Sequence, residues 1–257
     1  MVPSLAIVAV AALGLVGCHG SAAPAPVQSN GAGVAESPAA PRGPARSGDD
    51  SSVEDAASSD EQRAQDELAK KNDGRPVLVC FGDSLTAGLG TGAGQSYPDY
   101  LQKDLDALGY QYRVVNEGIS GNTTKDGVMR LPEILRLHPQ IAVVEFGGND
   151  GLRGLPIETT QANLDEIVGR LKAAGVKVVL AGITLPPDYG EDYIGRFDAM
   201  YTATAKKNGV SMLPFLLEHV YGVPGMMQRD QTHATAKGNE VVARNVLGLV
   251  RPLLRKK

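Results

Sequence analysis

Val77-Leu78-Val79-Cys80-Phe81-Gly82-Asp83-Ser84-Leu85-Thr86 is the stretch on which the fold turns. Five apolar residues run without interruption into Gly-Asp-Ser, the pattern of a strand buried on both faces that turns directly into a helix. A strand with one wet face would alternate apolar and polar residues, and this one does not. Working outward, similar short runs rich in β-branched residues occur at 112–116, 141–146 and 177–183, with a weaker fifth at 210–213. Helical spacing fills the gaps. In 97–108, Tyr97, Tyr100, Leu101, Leu105 and Leu108 share one face, and 159–174, 192–207 and 237–254 have similar periodicity. Continuous apolar strands alternating with helices predict an α/β domain, with a parallel sheet of about five strands covered on both faces. In such folds chemistry gathers at the carboxyl ends of strands. The places to look are therefore just after Phe81, Asn116 and Phe146.

Each of those places carries unusual residues. Ser84 stands where β turns to α, so its hydroxyl can be exposed and its own N–H can point at a developing oxyanion. Asp and Ser are also ordinary helix caps, so Ser84 alone decides little. It does not sit in the Gly-x-Ser-x-Gly elbow of α/β-hydrolases. After the second strand comes Asn116-Glu117-Gly118-Ile119-Ser120-Gly121-Asn122, where Gly118 could bring a backbone N–H close to a substrate oxygen. After the third comes Gly147-Gly148-Asn149-Asp150, and the Asn149 amide could donate to the same oxygen. Both segments are also common turn chemistry. Near the C-terminus, Asp230 and His233 are three apart, which would put them on one face of a helical turn. Asp230 could then hold Nδ1–H and leave Nε2 as general base. His19, His138 and His219 lie in segments that suit bland surface roles.

The chain has 257 residues, a formal net charge of −4 and no Trp. This leaves room for one catalytic domain and a tail, and an acidic balance argues against a nucleic-acid surface. Its two cysteines, Cys18 and Cys80, have no metal-site spacing, and no metal or other cofactor is expected. Cys80 reads as a small buried hydrophobe. The apolar run at 5–17 is shorter than the ~20 residues a span requires and suits a signal peptide, residues 1–18. Its end, Leu15-Val16-Gly17-Cys18, is similar to a bacterial lipobox, so Cys18 is the expected lipidation site, although no Lys or Arg precedes the apolar run. Residues 19–74 are rich in Ala, Pro, Ser and Gly and read as a disordered tether, with a possible short polar helix at 59–71. The folded domain is expected over 75–257.

The order of the blocks is more specific than any one of them. Ser84, Gly118, Asn149 and His233, with Asp230, resemble the four blocks and third triad member of the SGNH (GDSL) hydrolase family. The resemblance runs from about Val77 to Leu254. It is nearest to the bacterial branch of acyl-CoA thioesterases, lysophospholipases and arylesterases, through Gly147 to Gly154 (GGNDGLRG), Leu185 to Tyr189 (LPPDY) and Leu213 to Val220 (LPFLLEHV). It implies a flavodoxin-like three-layer α/β/α sandwich and a serine esterase acting on acyl esters or thioesters. In that mechanism Ser84, Asp230 and His233 form the triad, and Ser84, Gly118 and Asn149 form the oxyanion hole. Asp150, Gly151, Leu152 and Leu155 would line the acyl groove. Two positions depart from the family pattern: Ala234 stands where Pro usually follows the His, and Glu117 precedes Gly118. The rival readings are a carbohydrate O-acetyl esterase and a catalytically silent lipid-anchored binding protein. The expected state is a monomer outside the cytoplasm, held to a membrane through Cys18. The glycines of 88–94 do not form a nucleotide loop, because Gly-Asp-Ser already occupies the strand–helix junction.

Overall fold

The computed structural model describes residues 73–256. The expected signal peptide, Cys18, nearly all of the tether and the helix at 59–71 lie outside the described residues. The first described strand, β1 (Val77–Gly82), is buried at all six positions, as an uninterrupted apolar run requires. Burying each of Leu78, Val79 and Phe81 contributes about 1.5–3 kcal/mol. β1 is followed by a one-turn helix, α1 (Ser84–Ala87), then α2 (Tyr97–Ala107), β2 (Arg113–Gly118) and α3 (Thr124–Arg136). Next come β3 (Ile141–Glu145), a short α4 (Gly148–Leu152), α5 (Ile157–Ala173) and β4 (Lys177–Ala181). The chain closes with α6 (Glu191–Asn208), β5 (Ser211–Leu213) and α7 (Ala236–Val250).

The five strands are parallel and ordered β2-β1-β3-β4-β5, the flavodoxin-like winding. Helices α2 and α7 pack together on one side, and α3, α5 and α6 form the other layer. This is the expected three-layer sandwich. The order reverses at β1, which pairs with β2 on one side and β3 on the other. The crevice between the carboxyl ends of β1 and β3 is the topological switch point, and both Ser84 and Asn149 open from it.

Helix α3 was not among the helices expected from apolar spacing. Gly127 and Pro132 interrupt its pattern, and its start is marked only by a capping box. There Thr123 caps the Asp126 N–H while the Asp126 carboxylate accepts from Thr123 N. The last helix stops at Val250, four residues before the expected end, where Pro252 turns the chain into a 3₁₀ turn.

Candidate active site

Asp83 caps α1 by accepting the Leu85 N–H, which places Ser84 as the first helical residue, half-buried at the mouth of the switch point. The Ser84 backbone N–H has no partner among the described residues. Gly118 allows this turn to pack on β2, since a Cβ there would run into the backbone of Thr86 and Ala87.

His233 and Asp230 sit in a loop rather than on a helical turn. Gln231 takes a left-handed backbone (φ 55°), and Asp230 Oδ1 accepts the N–H groups of Thr232 and His233, each at 3.0 Å. Asp230 Oδ2 lies 2.7 Å from His233 Nδ1, and His233 Nε2 lies 2.8 Å from Ser84 Oγ. With its proton on Nδ1, the imidazole donates to Asp230 and accepts the Ser84 hydroxyl. Burial tends to raise the Asp230 carboxyl, but the side-chain and backbone donors of His233, with the Thr232 N–H, bring it down to about 2. It is therefore an ionised acceptor over the working range. The loop closes as a small hairpin: Gln228 N donates to His233 O, Thr235 N donates to Met226 O, and Met227 bridges Ala234. Within this bridge the Ala234 N–H makes no hydrogen bond among the described residues.

One residue in this hairpin had no signal in the sequence. The Gln228 side-chain amide donates to Leu89 O at 2.7 Å and to Ala234 O at 2.8 Å. It thereby ties the loop after Ser84 to the loop after His233. Nothing local distinguishes that Gln from any other surface Gln, because the partner that gives it its linking role, Leu89, is 139 residues away.

The oxyanion side departs from expectation. The Gly118 N–H donates to Asn116 Oδ1 at 2.9 Å. In the same loop Gly121 has a left-handed backbone (φ 83°), and its N–H has no partner among the described residues. Gly121 immediately precedes Asn122, whose carbonyl accepts from Asn149 Nδ2 at 2.9 Å. Of the two glycines, only Gly121 therefore keeps a free N–H, one residue from the carbonyl that Asn149 meets, and Gly118 serves close packing. The sequence offered two glycines in one loop, and only a left-handed backbone separates them. Asn149 Nδ2 also donates to Asp83 Oδ2 at 3.1 Å.

Of the four expected groove residues, Leu152 lines an apolar pocket of about 240 Å³ beside the triad, with Ile183, Leu185, Phe215, Leu217 and Tyr221. Gln231 and Thr232 form its edge toward His233. Asp150 is buried, and its carboxylate accepts from Thr124 N–H and from the hydroxyls of Thr124 and Thr160. It latches α3 and α5 to α4 and does not face the pocket. Gly151 is also buried, and a Cβ there would strike Leu185 and Phe197. Leu155 is exposed and outside the pocket wall. The Tyr189 hydroxyl donates to Leu152 O at 2.9 Å, which fixes the loop that carries the wall.

Cys80 is fully buried, and burial pushes its thiol up to about 12 despite a hydrogen bond from Tyr97. It is the inert hydrophobe expected.

Residues 80–241 match the model of the GDSL-like lipase/acylhydrolase family. The chain is similar to esterase TesA of Pseudomonas aeruginosa, with 44% identity over 179 residues, 69% of this chain and 89% of the relative. It is similar to thioesterase 1/protease 1/lysophospholipase L1 of Escherichia coli at 38% over 179 residues, 69% of this chain and 85% of the relative. Among solved structures, the psychrotrophic esterase EstA of Pseudoalteromonas sp., inhibited by monoethylphosphonate, superposes with a TM-score of 0.66. That match has 28% identity and covers 69% of this chain and 97% of EstA. With a GDS turn at the switch point, a Ser–His–Asp chain of hydrogen bonds, and this match across most of the folded domain, the chain belongs to the GDSL-like lipase/acylhydrolase family and is a serine esterase of the SGNH type.

Proposed function

We propose that Ser84 attacks the carbonyl of an acyl ester or thioester whose acyl chain lies in the apolar pocket behind Leu152. The observation that carries this reading is the continuous relay from Ser84 Oγ through His233 to Asp230, ending at the rim of an apolar pocket. His233 Nε2 takes the Ser84 proton as the hydroxyl oxygen bonds to the carbonyl carbon. The tetrahedral oxyanion accepts from the Ser84 and Gly121 N–H groups and from the Asn149 amide, where it replaces the Asn122 carbonyl as acceptor. Collapse of the intermediate expels the alcohol or thiol, which His233 protonates. Water, deprotonated by His233, then releases the acyl group and restores Ser84. Leu152, Ile183, Leu185, Phe215 and Leu217 offer no partner to a sugar hydroxyl, which favours an aliphatic chain over a carbohydrate.

The test is turnover of p-nitrophenyl esters from acetyl to palmitoyl by the full chain and by Ser84→Ala. A preference for chains longer than acetyl, lost in Ser84→Ala, supports the reading. Activity confined to acetyl would favour a carbohydrate deacetylase. Hydrolysis that survives in Ser84→Ala would reject the nucleophile.

The apolar run at 5–17 followed by Cys18 supports an enzyme that works outside the cytoplasm, anchored by a lipid on Cys18. Membrane fractionation compares the full chain with Cys18→Ser. Release of the variant supports the anchor, and co-sedimentation of both rejects it.

A further inference from the structure

Two carboxyl groups lie beneath the nucleophile turn, and the ester-cleaving relay uses neither. Asp83, the residue before Ser84, is 2% exposed, and Glu145, the last residue of β3, is 0% exposed. No Lys or Arg pairs with either among the described residues. Two buried carboxylates at hydrogen-bonding range, with no cation, are not a stable combination unless one holds a proton.

The hydrogen bonds say which one. Both oxygens of Asp83 already accept: Oδ1 from the Leu85 N–H at 3.0 Å and Oδ2 from the Asn149 amide at 3.1 Å. Glu145 Oε2 accepts from the Thr86 hydroxyl at 2.8 Å and from the Asp83 N–H at 3.4 Å. Glu145 Oε1 is buried and has no hydrogen-bond partner among the described residues. An ionised oxygen left so would be costly, whereas a protonated one becomes a donor.

We propose that Glu145 is a positioning residue that keeps its proton on Oε1 in the working enzyme and donates it to Asp83, so that the Asp83 carboxylate can orient the Asn149 amide and cap the Ser84 turn. With one N–H held by Asp83, Asn149 then presents its other N–H, rather than its carbonyl, to the oxyanion site. Gly82 fits this arrangement, since a Cβ there would collide with Thr86 Oγ1 and with the Glu145 carboxyl and carbonyl oxygens. Burial raises Glu145 well above the ordinary range, and the neighbouring Asp83 charge adds to it. Burial raises Asp83 to about 6, opposed by its hydrogen bonds from Leu85, Glu145 and Asn149 and by nearby His233. The other titratable groups around the pair are Cys80 on β1, Tyr97 on α2 and Tyr201 on α6, whose hydroxyl donates to Phe146 O. All three are pushed up by burial and stay neutral. Tyr201 also senses Asp150 and Asp198.

The inference rests on Asn149 acting at the oxyanion, and its test does not need that role. Infrared difference spectra of the full chain at pH 8, against Glu145→Gln, would show a protonated-carboxyl stretch in the wild type that the variant lacks. Absence of that band in the wild type overturns the proposal, whatever the activity. Kinetics supply the second arm. Glu145→Gln, whose amide can donate to Asp83 and accept from Thr86, keeps kcat near the wild-type value. Glu145→Ala loses on the order of 10²-fold in kcat with KM little changed, the scale of a displaced oxyanion donor. If Gln fails as badly as Ala while remaining folded by circular dichroism, an ionised Glu145 is required and the assignment is wrong. Loss of the Ser84 dependence of hydrolysis, with the band intact, would instead reject the esterase mechanism and leave the proton where it is placed.

Discussion

Two carboxylates flank Ser84, and their surroundings push them in opposite directions. Asp230 lies on an outer hairpin with its side chain 48% exposed, yet hydrogen-bond donors hold it down at about 2. Asp83 lies in the floor, buried with Glu145, and is raised to about 6. Hydrogen bonding alone does not separate them, since Asp83 also accepts two N–H groups. What differs is the second carboxyl and the loss of water. The outer carboxylate is built to stay charged and stabilise an imidazolium; the inner one is charged only with the help of a shared proton. The proposed mechanism draws on the first through His233 and on the second through Asn149.

The largest effect should come from the outer side. Asp230→Asn keeps the shape of the hairpin but can donate to Nδ1 and favour the wrong imidazole tautomer, with kcat falling about 10⁴-fold. Steady-state kinetics on a p-nitrophenyl ester would check this, and a loss under tenfold would break the contrast drawn between the two carboxylates. On the inner side, Asn149→Ala removes one oxyanion donor and should cost ~10²–10³ in kcat. Full turnover in that variant would make the Asp83–Asn149 contact purely structural.

A smaller effect is expected at Gln228, which joins the two loops. Gln228→Ala should lower kcat by roughly tenfold while leaving the apolar pocket, and so KM, little changed. A change confined to KM would show that the bond to Leu89 O shapes the substrate mouth and not the Ser84–His233 distance.

The mildest test is stability against pH. Asp230 has a folded value below its ordinary 3.8, so its contribution is present above 3.8 and is lost as pH falls toward 2. Asp83 has a folded value above 3.8, so its contribution is complete below 3.8 and is lost as pH rises through about 6. Glu145, also raised well above its ordinary 4.5, adds to this decline as pH rises above 4.5. Thermal midpoints should therefore fall at both ends. Glu145→Gln should lessen only the upper decline, and Asp230→Asn should flatten the acid one.

Much of the layout was legible because it depends on local pattern. The unbroken apolar run before Gly-Asp-Ser could only be a doubly buried strand, and that placed Ser84 at the switch point before any coordinates. The three-residue spacing of Asp230 and His233 was also readable, although a left-handed Gln231 brings them together and not a helical turn. What stayed hidden depended on partners far apart in the chain. Asp150 follows Asn149 and seemed to face the substrate, but Thr124 and Thr160 draw its carboxylate inward. Gly118 and Gly121 are indistinguishable as letters, and only the backbone shows which N–H is free. Glu145 lay inside the run read as a strand at 141–146 and was not singled out. Its importance emerges only when β3 lies beside β1 and its carboxyl meets Asp83 across the sheet.

The claim on which the rest depends is that Ser84 is the covalent nucleophile. EstA, which shares this fold, is inhibited by monoethylphosphonate. Treating the full chain with an ethylphosphonate ester and mapping the adduct by peptide mass spectrometry tests the claim directly. A single adduct on Ser84, absent from Ser84→Ala and appearing in step with loss of hydrolysis, is the predicted result. An adduct on another residue, or hydrolysis that persists once Ser84 is fully modified, would contradict it.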